Sequence, residues 1–66
     1  MYYTAIEAID HLTVIDETDS LFEATCSYYE LMIEVENESD SEVEEVELGF
    51  LTVENDIEPI VYWTPD

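Results

Sequence analysis

The chain has 66 residues, of which 19 are Asp or Glu and none is Lys or Arg, so its formal net charge is −19. We expect one acidic domain over residues 1–66, because a chain of this size buries only about 60% of its unfolded surface and supports a single hydrophobic core. The charge repels nucleic acid and anionic lipid head groups, which excludes both as direct ligands and leaves a basic protein as the expected partner.

The apolar content of the chain predicts that it folds despite its charge. Leu, Ile, Val and Phe account for 19 of the 66 residues, above the roughly 20% below which disorder is the usual outcome. The single cysteine, Cys26, cannot form an internal disulfide. No apolar run approaches the roughly 18 residues of a membrane span, and no basic, signal-like segment follows Met1. We therefore expect a cytoplasmic protein.

The first predicted element is a short N-terminal helix over residues 4–12. Thr4 and Glu7 have the spacing of a capping box, in which each side chain bonds the backbone N–H of the other. Apolar residues recur with helical periodicity at Ala5, Ala8, Ile9 and Leu12. A strand through Leu12, Val14 and Asp16 is the alternative.

Residues 20–28, which follow a polar turn, are left open between helix and strand. Ser20 and Glu23 repeat the capping-box spacing and favour a helix. After them, apolar and polar side chains alternate strictly, which predicts a strand with one solvated face. The inward set is Tyr29, Leu31, Ile33 and Val35, and the outward set is Glu30, Met32, Glu34 and Glu36.

The rest of the chain predicts two further strands joined by turns. Residues 37–42 contain no large apolar side chain and predict a hairpin connection. The next strand carries a bulge near Glu44 and Glu45. Residues 54–56 predict a turn, and residues 57–64 predict an edge strand, because Pro59 cannot donate to a ladder. The inward residues of the bulged strand are Val46, Leu48 and Phe50, and Glu45 and Glu47 point outward.

Together these elements predict an α+β fold, a small single domain in which one short N-terminal helix packs on an antiparallel three- to four-stranded sheet. The outward positions near the end of the sheet are apolar at Leu51, Val53, Ile60 and Tyr62. Either the N-terminal helix or a second copy of the chain would cover them, which leaves a homodimer open.

No group of residues in the sequence points to catalysis. Cys26 and His11 lie far apart with no cation to stabilise a thiolate, and the single glycine, Gly49, cannot form a phosphate-binding loop. Carboxylates in residues 36–47 follow a calcium-loop spacing, but Ser41 stands where that loop needs Gly. We therefore expect no enzyme activity, no cofactor and no specific metal site.

A dense acidic strip is the feature that points to function. Eight of the fourteen residues 34–47 are acidic, and most lie two apart. On a strand this spacing is about 6.6–6.8 Å, close to the roughly 7 Å between successive phosphates of a DNA strand. The predicted partner-binding residues are Glu30, Glu34, Glu36, Glu38, Asp40, Glu42, Glu44, Glu45 and Glu47, with Asp16, Glu17 and Asp19 as a second row.

In size, charge and lack of cations the whole chain resembles the small acidic DNA-mimic inhibitors of phages and mobile elements, although it carries no family motif. These include anti-CRISPR proteins, anti-restriction proteins and inhibitors of uracil-DNA glycosylase. The resemblance implies an inhibitor that occupies the DNA-binding surface of a basic protein in the cytoplasm of an infected host cell. Within that class we favour an anti-CRISPR protein that blocks target DNA binding by a CRISPR effector complex.

Other classes of function fit the same composition. The class resemblance equally allows an inhibitor of a restriction enzyme or of uracil-DNA glycosylase. An acidic antitoxin-like cap of a basic protein shares the electrostatics but needs no DNA-like geometry. A halophilic domain would be acidic for solubility only.

Overall fold

The computed structural model describes residues 1–38 and 41–65 and contains four strands and one helix. The elements are β1 (Tyr2–Ala8), β2 (His11–Thr18), α1 (Leu21–Asn37), β3 (Val43–Leu51) and β4 (Ile57–Trp63). The strands form one antiparallel sheet in the order β2-β1-β3-β4, and α1 connects β2 to β3. The predicted α+β class with one helix and an antiparallel sheet is confirmed.

The helix predicted at residues 4–12 is wrong, because this segment forms a β-hairpin. Ile9 and Asp10 make its two-residue turn with φ angles of 53° and 61°, the left-handed conformation that matches the twist of paired strands. β1 is a central strand, hydrogen-bonded on both sides, and Thr4 and Ala5 are buried within the sheet. Pairing on two edges outweighs a capping-box spacing that supports only one short helix.

The strand predicted from Tyr29 is also wrong, because residues 20–28 start a helix that continues to Asn37. The Ser20 hydroxyl caps it by accepting a hydrogen bond from the Glu23 backbone N–H at 3.2 Å. The residues facing the sheet recur at helical spacing over more than three turns, so the helix buries a longer apolar stripe than the alternating strand would. They are Ala24, Tyr28, Leu31, Met32 and Val35.

The two C-terminal strands are confirmed, together with their irregularities. Glu7 pairs with Glu45 and Ala8 with Val43, so Glu44 is the extra residue of the predicted bulge. Pro59 lies in β4, which is an edge strand, as predicted. The connection around residues 54–56 forms the predicted turn, in which the Asn55 N–H donates to the Thr52 carbonyl at 2.9 Å.

Both edge strands contain an extra residue that interrupts their pairing. In β2, Asp16 pairs with Thr4 and Val14 with Ala5, which leaves Ile15 unpaired. In β4, Val61 pairs with Leu48 and Pro59 with Gly49, which leaves Ile60 unpaired. Bulges of this kind twist a strand and disturb its free hydrogen-bonding edge.

The helix covers only one face of the sheet. The core lies between α1 and the side chains of Val46 and Leu48, with Trp63 packed at its margin. On the other face, Ile60 and Tyr62 are 51% and 65% exposed. The predicted N-terminal helix does not form, and α1 packs on the opposite face, so no helix covers this apolar end of the sheet in the described part of the chain. The alternative cover, a second copy of the chain, stays a prediction.

Tyr3 is fully buried because its ring lies directly over Gly49 on the neighbouring strand. A Cβ atom at position 49 would lie 2.5 Å from the ring carbon Cζ and from the hydroxyl oxygen of Tyr3. The Tyr3 hydroxyl donates a hydrogen bond to Oε2 of Glu47 at 2.6 Å. The single glycine of the chain thus makes room for a tyrosine that joins β1 to β3.

We expect Gly49→Ala to destabilise the fold by about 1–3 kcal/mol, the usual cost of forcing an extra methyl group into a packed site. Urea denaturation followed by circular dichroism measures this as a lower midpoint. Val53→Ala is the control, because Val53 is fully exposed in the β3–β4 turn and its truncation should leave the midpoint unchanged. An unchanged midpoint for Gly49→Ala would show that Tyr3 moves aside freely.

Candidate acidic binding surface

The predicted acidic strip is not a single extended row, because its first part lies on α1. Consecutive helix residues are rotated by about 100°, so Glu34 and Glu36 point in different directions although they lie two residues apart. The regular spacing of about 7 Å along a strand is therefore wrong for Glu30, Glu34 and Glu36. Asp40 lies outside the described residues.

A different row of carboxylates follows the helix. Glu23, Glu30 and Glu34 are exposed and fall within about 40° of one another around the axis. They are separated along the axis by about 10 Å and then about 6 Å. We call these three residues the helix row.

The helix row leads to a second group of carboxylates where α1 ends and β3 begins. Glu36, Glu38, Glu42 and Glu44 are all exposed here, and we call these four residues the acidic pole. Glu36 and Glu38 line a cleft of about 210 Å³ together with Val35, Ser41, Val43 and Pro65. Part of the predicted strip thus comes together at one end of the molecule.

The acidic pole surrounds the electronegative end of the helix. The last turn of α1 contains no basic residue, and the helix ends with the Glu38 N–H donating to the Val35 carbonyl at 3.3 Å. Carboxylates are unfavourable here because the helix C-terminus carries about half a negative charge. A Lys or Arg side chain of a partner would reduce both the repulsion among these carboxylates and their repulsion by the helix C-terminus.

Glu47 does not belong to the exposed surface, although the sequence predicts that it binds the partner. It is only 8% exposed and accepts the hydrogen bond of the buried Tyr3 hydroxyl. Its carboxylate links β3 to Tyr3 of β1, so the predicted outward, solvent-facing position of Glu47 is wrong.

Glu45 is half-buried and lies in a small group of carboxylates with Glu7 and Glu47. Glu7 is its direct partner across β1 and β3. Burial raises the pKa of Glu45 above its ordinary value, and the charges of Glu7 and Glu47 and a hydrogen bond with Glu7 add to this effect. The helix predicted at residues 4–12 does not pair Glu7 with Glu45, so the sequence does not predict this group.

The predicted second row lies at the end of the molecule opposite the acidic pole. Asp16, Glu17 and Asp19 are exposed at the end of β2 and the start of the loop to α1. Asp16 pairs with Thr4 and Glu17 with Tyr3, so the two side chains point to opposite faces of the sheet. The exposed carboxylates of the β3–β4 turn lie at the same end, although the sequence analysis did not select them as contact residues. They are Glu54, Asp56 and Glu58.

No group of three or more His, Cys, Asp or Glu side chains within residues 1–38 and 41–65 is arranged to hold a metal ion. In the same described part of the chain, no helix is both long and apolar enough to cross a membrane. The chain matches no protein-family model, no curated protein and no solved structure. A function for this protein is therefore inferred from the arrangement of its carboxylates.

We expect Glu36→Gln to raise the free energy of unfolding by about 0.3–1 kcal/mol, because it removes a charge beside the negative end of the helix dipole. The matched control is Glu23→Gln in the first turn. Glu23 lies at the positive end of the dipole and accepts a hydrogen bond from the Thr18 hydroxyl at 2.9 Å. Its neutralisation should lower stability, and thermal melts that shift in the same direction for both variants would contradict the dipole argument.

We also expect the protein to melt at a higher temperature near pH 5 than at pH 7. The raised pKa of Glu45 means that the folded state binds this proton more tightly than the unfolded state does, so stability increases as the pH falls through the folded pKa. Calorimetry at fixed ionic strength should show a smaller gain for Glu45→Gln than for the wild type. Glu54→Gln, at an exposed turn position, should keep the full gain; equal gains in all three proteins would exclude Glu45 as the source.

Proposed function

We propose that the chain is a DNA-mimic inhibitor that occupies the positively charged DNA-binding surface of a nucleic-acid-binding protein. The observation that carries this proposal is the exposure of its carboxylates on a folded scaffold. Of the 17 Asp and Glu residues within residues 1–38 and 41–65, 14 are exposed. No Lys or Arg is present to neutralise any of them.

The charge per unit length supports the proposal. The longest dimension of the protein is 37 Å. Duplex DNA of that length carries roughly 22 phosphate charges, at one per 1.7 Å of axis, against the 19 acidic residues of the chain. A cationic cleft shaped for DNA would therefore meet a similar number of anionic groups over a similar distance.

The position of the carboxylates gives the proposal a contact surface. The helix row follows an α1 helix about 25 Å long and ends at the acidic pole. The helix row and the acidic pole are thus two groups of exposed carboxylates, one along α1 and one at its C-terminal end. These two groups replace the straight strand-like row that the sequence predicts.

A CRISPR effector complex is the target that we propose. Such complexes recognise nucleic acid largely through its backbone in positively charged channels, and read only a short flanking motif by contacts to bases. A mimic of such a channel's ligand needs charge and shape but no base edges, which is what carboxylates on a protein scaffold supply. Long-range attraction would make association fast and sensitive to salt.

The test is displacement of labelled target duplex from a purified CRISPR effector complex, with a restriction enzyme and uracil-DNA glycosylase assayed in parallel. We expect the wild type to displace duplex from the effector and to lose potency between about 100 and 300 mM NaCl, roughly two-thirds to twice physiological ionic strength. Displacement of DNA from only one of the other two enzymes would show that this enzyme is the target, and the protein would still be a DNA-mimic inhibitor. Displacement from none of them would overturn the proposal.

Two variants with equal net charge separate mimicry from general polyanion binding. Glu30→Gln, Glu34→Gln and Glu36→Gln together remove three charges from the helix side, whereas Glu54→Gln, Asp56→Asn and Glu58→Gln remove three from the β3–β4 turn region. At roughly 0.5 kcal/mol per exposed ion pair, we expect the first variant to lose about tenfold in inhibition and the second to lose much less. Equal losses would show that net charge alone is recognised.

A further inference from the structure

The outer face of α1 carries an apolar stripe in addition to the one that faces the sheet. Phe22, Tyr29 and Ile33 are 77%, 56% and 59% exposed, and Cys26 between them is also exposed. Their spacing of i, i+4, i+7 and i+11 places all four within about 60° around the helix axis. We call these four residues the outer stripe.

The outer stripe is separate from the hydrophobic core. It lies roughly opposite the buried face of α1, represented by Ala24 and Val35, and no other described element packs against it. Side chains such as Phe22, which is 77% exposed, contribute little to the core from this position. A 66-residue fold is only marginally stable, yet this one keeps a row of apolar side chains in solvent. An exposed apolar row of this kind is typical of a surface that binds a partner.

Carboxylates flank the outer stripe on both sides. The helix row lies about 90° from the stripe on one side, and Glu36 lies about 50° from it on the other. A complementary surface would be an apolar groove bordered by Lys or Arg side chains. Helix-in-groove binding of this type uses apolar anchors at the spacing seen here.

We propose that the outer stripe is the apolar anchor by which the chain docks into an apolar groove on its cationic protein partner. This inference rests on the proposed function and deepens it by assigning the contact face. Exposed ion pairs contribute only about 0.2–1 kcal/mol each, so affinity and register need buried anchors, and aromatic side chains are the usual ones. Phe22 and Tyr29 are the aromatic residues of the outer stripe.

A second copy of the chain does not meet this requirement. Packing two outer stripes together would bring the carboxylates that flank each stripe to the borders of one interface, with a formal charge of −19 on each copy. Like charges facing each other across an interface oppose association by several kcal/mol. The occupant with complementary chemistry is therefore a basic protein surface.

The proposal is tested with two synthetic peptides of equal length and equal positive charge. One is an amphipathic helix of Lys and Leu, and in the other every Leu is replaced by Ser. Fluorescence anisotropy at 150 mM NaCl measures the affinity of each for the protein. We expect the Lys–Leu peptide to bind at least about tenfold more tightly, because burial of a few apolar side chains contributes more than 1.4 kcal/mol.

The variant Phe22→Ala with Ile33→Ala should abolish the preference for the Lys–Leu peptide and leave binding of the Lys–Ser peptide unchanged. Alanine preserves helix propensity at both sites, so the fold should survive, which thermal melts check. The matched control, Leu12→Thr with Ile60→Thr, removes exposed apolar side chains from the two edge strands while keeping residues suited to strands. This control should keep the preference.

The remaining outcomes each overturn the proposal in a distinguishable way. Loss of the preference only in the edge-strand control would place the anchor on the sheet. Binding of both peptides with equal affinity would show charge recognition without an apolar anchor, and leaves the proposed function standing. Binding of neither peptide would show that the protein does not bind a cationic partner, and would overturn the proposed function as well. A dimer in analytical ultracentrifugation that Phe22→Ala with Ile33→Ala dissociates would show that a second copy occupies the stripe.

Discussion

The uncompensated negative charge is the constraint on which the rest of the structure depends. Without Lys or Arg, every carboxylate of the chain depends on solvent, counter-ions, hydrogen bonds or a partner for its stabilisation. Most of the described carboxylates lie at the surface, where water and counter-ions stabilise them. Among residues 1–38 and 41–65, Glu47 is the one buried carboxylate, and it accepts the Tyr3 hydroxyl hydrogen bond between two central strands. In the described part of the chain, the core therefore contains one acidic side chain, whose carboxylate is satisfied by a hydroxyl donor.

The local rules of helix stability and the distribution of charge disagree at one place. Natural helices favour cations in their last turn, whereas α1 ends in Glu34, Glu36 and Glu38. Such departures from local consistency are typical of positions kept for function. The two proposals use neighbouring parts of the same helix, since the helix row and acidic pole supply charge and the outer stripe supplies apolar contact. A partner that approaches α1 meets both.

The sequence predicts the C-terminal half of the sheet well and the N-terminal half poorly. Alternation at Val46 and Leu48, the bulge at Glu44 and the edge position of Pro59 are local signals, and the structure confirms them. The secondary structure of residues 4–12 and of the segment from Tyr29 is wrongly predicted because each fits two periodicities over a short window. Only long-range pairing and packing decide between them. The acidic residues were easy to select, but their arrangement was not, because a helix and a strand place the same residues on different faces.

The irregular outer strands have a consequence for the behaviour of the protein once its charge is neutralised. A cationic partner, acid or high salt reduces the electrostatic repulsion between copies of the chain. Straight, unpaired edge strands could then pair with those of other copies and form fibrils. The unpaired Ile15 and Ile60, together with Pro59, break the hydrogen-bonding pattern on both borders of the sheet. Protection against fibril growth is thus built into the backbone, and it persists under conditions in which electrostatic protection is lost.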